Sequence, residues 1–266
     1  MPTILANDLD IAYDALGDGP PLVMLHAATS SGRETYGAQI PSLATRFRLY
    51  LPDARGHGST RWDVADGFRA EWLVDDLEAF VDALGLETFH LIGFSMGGMT
   101  ALGFGARAPG RLRTLVAVGI ATAREPRASV AARVMDTGRI LREDPVWAAE
   151  LAIAHDAVQG PGACQRLLPA IAEDVATQPL LTPAQLRAIN PPTLVACGDR
   201  DPLVPVAQAA ELARQVRHGQ LFVAPDCGHD VLTRQPTLAL EALTTFYRST
   251  ESGARARRDA PPEVRP

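Results

Sequence analysis

The sequence predicts an α/β protein with a mostly parallel sheet, helices on both faces of the sheet and one helical insertion. Three observations support this prediction. Short apolar runs of strand length alternate with longer helical patterns over most of the chain, which is typical of parallel sheets. Several runs are apolar throughout, as in strands that are buried on both faces. The alternation stops between residues 122 and 189, where no strand-like run occurs.

The first part of the core is expected over residues 1–121. Residues 4–15 alternate loosely between apolar and polar and predict one or two edge strands. Pro41 interrupts the first helical pattern, because proline lacks the N–H that a helix interior needs. The remaining elements are strands predicted at 22–26, 47–52, 88–92 and 111–120, and helices predicted at 34–45, 69–84 and 96–108.

The helical insertion is expected over residues 122–189, and the core resumes over residues 190–250. Residues 251–266 are rich in Arg, Ala and Pro and have no apolar periodicity, which predicts a disordered tail. The predicted elements are insertion helices around 130–140, 146–158 and 164–176, then strands at 192–198 and 220–224 and helices at 206–216 and 237–247.

Composition excludes several classes of function. The net charge of −6 gives no sign of nucleic-acid binding or of attraction to an anionic membrane. All 25 basic residues are Arg, so chemistry that needs a lysine amine, such as a Schiff base or a pyridoxal phosphate anchor, is excluded. The 3 cysteines are scattered, which argues against disulfides and zinc. We expect no cofactor or metal, no membrane span, no signal peptide and a cytoplasmic location.

One pentapeptide matches the nucleophile elbow G-x-S-x-G, and it centres on Ser95. In this motif a serine sits on a tight turn between a strand and a helix, with its hydroxyl exposed. The flanking glycines, Gly93 and Gly97, suit a turn that leaves no room for a Cβ atom. Five residues alone are weak evidence, but the predicted strand at 88–92 and helix at 96–108 supply the required context.

Ligands of parallel α/β sheets bind at the carboxyl ends of the strands. The loops that matter for function are therefore those that follow His26, Pro52, Gly93, Gly198 and Pro225. We expect these loops to meet at one edge of the sheet.

Five segments in a fixed order now carry a family resemblance. They are the loop after His26, Asp-Ala-Arg-Gly-His-Gly at 53–58, the elbow at 93–97, Gly-Asp-Arg-Asp-Pro-Leu-Val-Pro at 198–205 and Cys-Gly-His at 227–229. This spaced set resembles the α/β-hydrolase family, and the resemblance covers residues 3–248. It implies an α/β-hydrolase sheet with the insertion as a cap, and a triad in the order Ser…Asp…His.

The resemblance implies a role for each matching residue. Ser95 would be the nucleophile, His229 its general base, and Asp201 the residue that orients the imidazole. Asp199 competes with Asp201, but the family pattern G-x-x-D-x-x-x-P places the acid at 201. The backbone N–H groups of Met96 and Ala28 would form the oxyanion hole, although His-Ala replaces the common His-Gly at 26–27.

Other motif residues look catalytic in isolation. His57 and Asp53 belong to a segment that is more often a structural turn in this family, and His26 is expected to hold the oxyanion loop. His155, in the insertion, is a candidate for facing a ligand. Met135 and Trp147 are candidates for lining an acyl pocket, with helix packing as the alternative for each.

The resemblance implies hydrolysis of an ester, lactone or thioester through an acyl-enzyme. The absence of Lys excludes the hydroxynitrile lyases of this fold, and a serine nucleophile excludes the branches that attack with Asp. The alternatives are acyl transfer, carbon–carbon bond hydrolysis of a ring-cleavage product and, in another class, a non-enzymatic ligand-binding relative. The apolar residues of the insertion favour an apolar or moderately sized acyl or ring substrate. The oligomeric state stays open.

Overall fold

A computed structural model describes residues 1–259, apart from Val64 and Asp66. Its centre is an eight-stranded sheet with the strand order β1-β2-β4-β3-β5-β6-β7-β8. The strands are β1 Thr3–Ala6, β2 Leu9–Leu16, β3 Pro21–Leu25, β4 Arg48–Pro52, β5 Phe89–Phe94, β6 Leu112–Val118, β7 Thr193–Gly198 and β8 Gly219–Ala224.

The sheet is parallel from β4 to β8, and only its first edge is antiparallel. β1 pairs antiparallel with β2, and β2 pairs antiparallel with β4. All the remaining neighbours are parallel. The carboxyl ends of β3 to β8 therefore lie at one edge, as the fold class predicted from the sequence requires.

Helices cover both faces of this sheet, and further helices form the inserted segment. They are α1 Gly32–Tyr36, α2 Ile40–Leu43, α3 Ala70–Ala83, α4 Met96–Arg107, α5 Arg127–Val134, α6 Thr137–Glu143, α7 Pro145–Gln159, α8 Ala163–Thr177, α9 Pro183–Ala188, α10 Val206–Gln215, α11 Val231–Arg234 and α12 Pro236–Asp259. Among the residues that the structure describes, no helix is both long and apolar enough to cross a membrane.

The two faces of the sheet belong to two different hydrophobic clusters. Leu91 of β5 packs into the cluster formed with α3, α4 and α10. The next residue, Ile92, packs into the opposite cluster, together with Phe246 of α12. Because successive side chains of a strand point to opposite faces, burial on both faces explains why these strands are apolar throughout.

The single helix predicted at 34–45 is wrong, since the structure has two short helices there. Ser31 caps α1 through its side chain, and α1 ends at Tyr36. Pro41 lies in the first turn of α2, where the missing proline N–H costs nothing because the first N–H groups of a helix have no partner within it.

The inserted segment forms a helical layer of α5 to α8 between β6 and β7. Leu168 belongs to a small cluster formed by this layer alone, whereas Leu167 packs in a second small cluster with Phe68, which lies outside the layer. α9 differs, because Leu186 and Ile189 join the main core cluster that also contains α4 and α10. We therefore propose that the cap ends before α9, rather than at residue 189 as the sequence pattern suggested.

The last helix is longer than predicted. It runs from Pro236 to Asp259, whereas the sequence predicted a disordered tail from residue 251 onward. Ala and Arg are strong helix formers, and the next proline comes only at residue 261. The disordered tail stays a prediction, and residues 260–266 lie outside the described part of the chain.

Candidate active site

Ser95 lies on a strained turn between β5 and α4. Its φ is +52° and its ψ is −112°, a region that a non-glycine residue adopts only when its surroundings impose it. Two hydrogen bonds hold the turn: the Ser95 N–H donates to the Val118 carbonyl at 2.8 Å, and the Gly97 N–H donates to the His26 carbonyl at 3.1 Å.

The glycines on either side of the serine have no room for a side chain. A Cβ on Gly93 would lie 2.0 Å from the Gly97 carbonyl oxygen. A Cβ on Gly97 would lie 2.4 Å from the Leu25 carbonyl oxygen. The motif therefore reflects close contact between backbones, which brings the end of β3 against the start of α4.

Ser95, His229 and Asp201 form a continuous hydrogen-bonded chain. Ser95 Oγ lies 2.9 Å from His229 Nε2, and His229 Nδ1 lies 2.7 Å from Asp201 Oδ2. The Asp201 side chain has no solvent exposure, and that of His229 is 17% exposed. Because a carboxylate can only accept a hydrogen bond, the neutral imidazole carries its proton on Nδ1. Its Nε2 is therefore free to accept the serine proton.

The structure separates the two candidate acids. Asp201 Oδ1 accepts hydrogen bonds from the N–H groups of Leu203 at 2.8 Å and Val204 at 3.1 Å, so its carboxylate has a fixed orientation. Asp199 instead accepts from the Cys227 N–H at 2.9 Å, which ties together the loops after β7 and β8. Asp201 is therefore the carboxylate that contacts the imidazole.

The imidazole of His229 is packed as well as hydrogen bonded. Its centroid lies 5.0 Å from that of the Phe94 ring. Gly119, which follows the end of β6 and has φ +67°, lies beside both rings. A Cβ on Gly119 would lie 2.9 Å from His229 Cε1, so glycine makes room for the ring.

The two N–H groups expected to form the oxyanion hole belong to residues that line the cavity at Ser95. Ala28 and Met96 both line it, together with His229. Among the hydrogen bonds of the described residues, none uses the N–H of Ala28 or Met96 as donor. His26 supports this loop, because its Nδ1 donates to the Ala27 carbonyl at 2.7 Å and its Nε2 accepts from the Ala54 N–H at 2.9 Å.

The turn at 53–58 is structural. Asp53 Oδ2 accepts from the Ser59 N–H at 2.9 Å, and Arg55 forms two hydrogen bonds with Asp76, at 2.6 and 2.7 Å. His57 is buried, and its pKa lies well below the ordinary value, first because burial removes water from the ring and then because His26 and His155 repel a proton.

The His155 side chain is buried against the turn at 53–58. Its Nδ1 accepts a hydrogen bond from the Gly58 N–H at 2.9 Å, and its ring meets that of His57 at 5.7 Å. Further along α7, Gln159 Nε2 donates to the Thr60 carbonyl at 2.7 Å. These two side chains therefore anchor the cap to the turn at 53–58.

The cavity at Ser95 is mainly apolar and has one polar region. Phe68, Leu73, Met99, Met135 and Ile171 are among its apolar lining residues. Met135 lines the cavity as the sequence suggested, whereas Trp147 packs inside the cap. The polar region consists of Arg127, Asp174 and Gln178.

Sequence reasoning missed the polar residues of this cavity. One signal was present in α5, where Arg127 lies four residues before the small apolar Ala131 and therefore on the same helix face. A charge on a buried face deserves a functional explanation. In the described part of the chain, no group of three or more His, Cys, Asp or Glu residues is placed to hold a metal ion.

Comparison with known proteins agrees with this fold. A family model described as alpha/beta hydrolase fold matches residues 20–161, and one described as TAP-like protein matches residues 151–258. A putative carbamate hydrolase RutD of Caulobacter sp. (strain K31) is 27% identical, and the alignment covers 91% of this chain and 97% of that protein.

Two further relatives have different named activities. A 2-hydroxy-6-oxo-2,4-heptadienoate hydrolase of Pseudomonas putida is 28% identical over 87% of this chain and 90% of its own length. The structure of a thermophilic esterase from Thermogutta terrifontis is 26% identical, with a TM-score of 0.73, and covers 93% of this chain and 98% of its own. The family match, the sheet topology and these relatives agree: the chain belongs to the α/β-hydrolase fold family and is a hydrolase.

Proposed function

We propose that this protein is a serine hydrolase that cleaves a small-molecule carboxylic ester, lactone or thioester through an acyl-enzyme. The observation that supports this most directly is the hydrogen-bonded chain from Asp201 through His229 to Ser95, with distances of 2.7 and 2.9 Å. A serine hydroxyl alone is a weak nucleophile, and this arrangement supplies the base that it needs.

In the first half of the reaction, Ser95 Oγ attacks the substrate carbonyl while His229 Nε2 takes up the serine proton. Asp201 keeps the ring in the required tautomer and stabilises the positive charge on it. The negative charge that develops on the carbonyl oxygen would be stabilised by the N–H groups of Ala28 and Met96, which removes about 3 kcal/mol from the barrier per donor in comparable sites.

His229 then acts as a general acid, which completes formation of the acyl-enzyme. Protonated His229 gives its proton to the leaving group, so that the alcohol, enol or thiol departs and the acyl group stays on Ser95. A water molecule then attacks the acyl carbon while His229 accepts its proton. The second tetrahedral intermediate expels Ser95 Oγ, which recovers its proton from the imidazole.

Carbon–carbon bond hydrolysis is a second candidate on the same three residues. The similarity to the 2-hydroxy-6-oxo-2,4-heptadienoate hydrolase favours it, because that alignment covers most of both chains. The two candidates differ in what Ser95 must release, a heteroatom leaving group or a carbon leaving group. Two parallel assays decide between them. One measures the hydrolysis of p-nitrophenyl esters, and the other measures the loss of absorbance of a dienoate ring-cleavage product.

A fluorophosphonate probe tests the nucleophile directly. We expect it to label the wild-type protein and to leave Ser95→Ala unlabelled. Ser42→Ala is the matched control, since Ser42 is exposed on α2, and it should label like the wild type. Failure of the folded wild-type protein to label would refute the proposal. Assays with p-nitrophenyl esters, lactones and thioesters would then identify the substrate class, and transfer to added alcohols would reveal acyl transfer.

A further inference from the structure

Arg127 is a buried cation in the cavity that holds the candidate nucleophile. It lies in the first turn of α5 and is only 6% exposed. It lines the same cavity as Ser95 and His229. Its Nε and Nη2 atoms are both buried and have no hydrogen-bond partner.

Neither neighbouring charged residue hydrogen bonds to the buried Nε and Nη2 atoms of this guanidinium. Asp174 lines the same cavity, but its Oδ1 accepts a hydrogen bond from the Ala70 N–H at 3.1 Å. Arg124, on the other side, donates to backbone carbonyls at the end of α8, including that of Gln178 at 2.9 Å. The pKa of Arg127 is lowered, first by burial, and Arg124 adds to this effect while Asp174 opposes it.

A buried charge without a partner is costly. Removing an ion from water costs several kcal/mol even after relaxation, and a good ion pair with hydrogen bonds is needed to offset this cost. The free atoms of Arg127 are Nε and Nη2, which donate side by side from one edge of the guanidinium. Two parallel donors of this kind match the two oxygens of a carboxylate.

The same protein shows how this edge is used when it is occupied. In Arg55, Nε donates to Asp76 Oδ2 at 2.7 Å and Nη2 donates to Asp76 Oδ1 at 2.6 Å. Arg127 lines the active-site cavity and has the same two atoms without a hydrogen-bond partner. A ligand carboxylate would therefore complete at Arg127 the arrangement that Asp76 completes at Arg55.

We propose that Arg127 binds a carboxylate of the substrate, so that the preferred substrate carries a carboxylate at a distance from the bond that is cleaved. A monoester or thioester of a short dicarboxylic acid has this chemistry. The inference rests on the proposed function, since it assigns the substrate class of the same cavity. Arg127 would act as a specificity-determining residue that contacts the substrate but takes no part in proton transfer.

Paired substrates test the assignment. We expect a p-nitrophenyl monoester of glutaric acid to be hydrolysed with a higher kcat/KM than p-nitrophenyl valerate, a neutral ester of similar length. Arg127→Gln should lower the ratio of the two kcat/KM values by about 100-fold, as expected for a lost hydrogen-bonded charge pair. Arg133→Gln is the matched control, because Arg133 is exposed on the same helix, and it should leave the ratio unchanged. An unchanged ratio in Arg127→Gln would overturn the inference.

A binding measurement separates this inference from the proposed function. Glutarate should raise the Tm of Ser95→Ala, and adding Arg127→Gln should remove that rise. If the fluorophosphonate probe failed to label Ser95 while glutarate still stabilised the protein through Arg127, the proposed function would fail and the carboxylate site would stand. If esters were hydrolysed with no preference that depends on Arg127, the proposed function would stand and the carboxylate site would fail.

The Tm of the unliganded protein tests whether Arg127 is paired within the protein. Because Arg127 is buried and unpaired, Arg127→Gln should leave the Tm of the unliganded protein unchanged or raise it. A marked fall in Tm would show that Arg127 is paired within the protein, for example with Asp174, and would refute the assignment. Stronger stabilisation by a phosphonate than by glutarate would refute the choice of carboxylate.

Discussion

Replacing Asp201 with Asn tests the proposed mechanism while preserving the shape of the side chain. Asp201 Oδ1 already accepts two backbone hydrogen bonds, from Leu203 at 2.8 Å and Val204 at 3.1 Å. In the variant, the amide oxygen must occupy this position, because an amide nitrogen there would oppose two N–H donors. The amide NH₂ group is therefore forced to face His229 Nδ1.

The consequence for His229 follows from this orientation. Nδ1 must now accept a hydrogen bond from the amide, so the ring proton moves to Nε2, which lies 2.9 Å from Ser95 Oγ. A protonated Nε2 cannot take the serine proton. We expect kcat to fall about 10⁴-fold, as when the acid of a serine-protease triad is replaced by its amide, which corresponds to about 5 kcal/mol in the activation barrier.

Steady-state hydrolysis of a p-nitrophenyl ester measures this effect, with active-site titration to count competent molecules. Asp199→Asn is the control, because Asp199 contacts the Cys227 N–H and not the imidazole; we expect less than a tenfold loss in kcat. Thermal denaturation should show that both variants remain folded. Equal losses in the two variants, or a loss below tenfold in Asp201→Asn, would refute the assignment of the acid.

Three further predictions follow from the packing around the site and from burial. Gly119→Ala should lower kcat by about 100-fold, because its Cβ would lie 2.9 Å from His229 Cε1; wild-type activity would contradict the proposed crowding. Burial, with help from nearby arginines, lowers the pKa of His90 from 6.5 to about 4. Neutral His90 therefore stabilises the fold above pH 6.5, and about 3 kcal/mol of this is lost as the pH falls towards 4, because the unfolded chain takes up the proton first. His90→Gln should flatten the dependence of the free energy of unfolding on pH between 4 and 6.5, measured in urea, and an unaltered slope would contradict this. Burial raises the thiol pKa of Cys164 to about 12 and that of Cys197 to about 11, so both should react with a thiol reagent only after denaturation; rapid reaction of the native protein would argue against their burial.

The cap shows what a sequence pattern leaves undetermined. Missing strand-like runs predicted a helical insertion, and the structure has helices from Arg127 to Thr177 between β6 and β7. The sequence pattern placed α9 in the insertion; we propose that it belongs to the core, because Leu186 packs into the main core cluster. A helical pattern indicates that a face is buried, but it does not indicate which neighbour buries it.

Arg127 shows the same limit at the site. Its place in α5 can be recognised from the sequence. Its lack of a hydrogen-bond partner depends on two other contacts, in which Asp174 accepts from a backbone N–H and Arg124 donates to backbone carbonyls at the end of α8. Both are contacts between segments that are far apart in the chain. Sequence reasoning therefore expected a largely apolar pocket and missed its cationic residue.

The sequence by itself determined the strands of the sheet, the elbow around Ser95 and the order of the candidate triad residues. These features depend on local causes: apolar runs buried on both faces, and glycines at 93 and 97 where backbones meet without room for a Cβ. Only the tertiary structure shows which carboxylate faces His229, which cluster α9 joins and which charged residues line the cavity. Each of these depends on packing between distant segments, for which neighbouring residues carry no local signal.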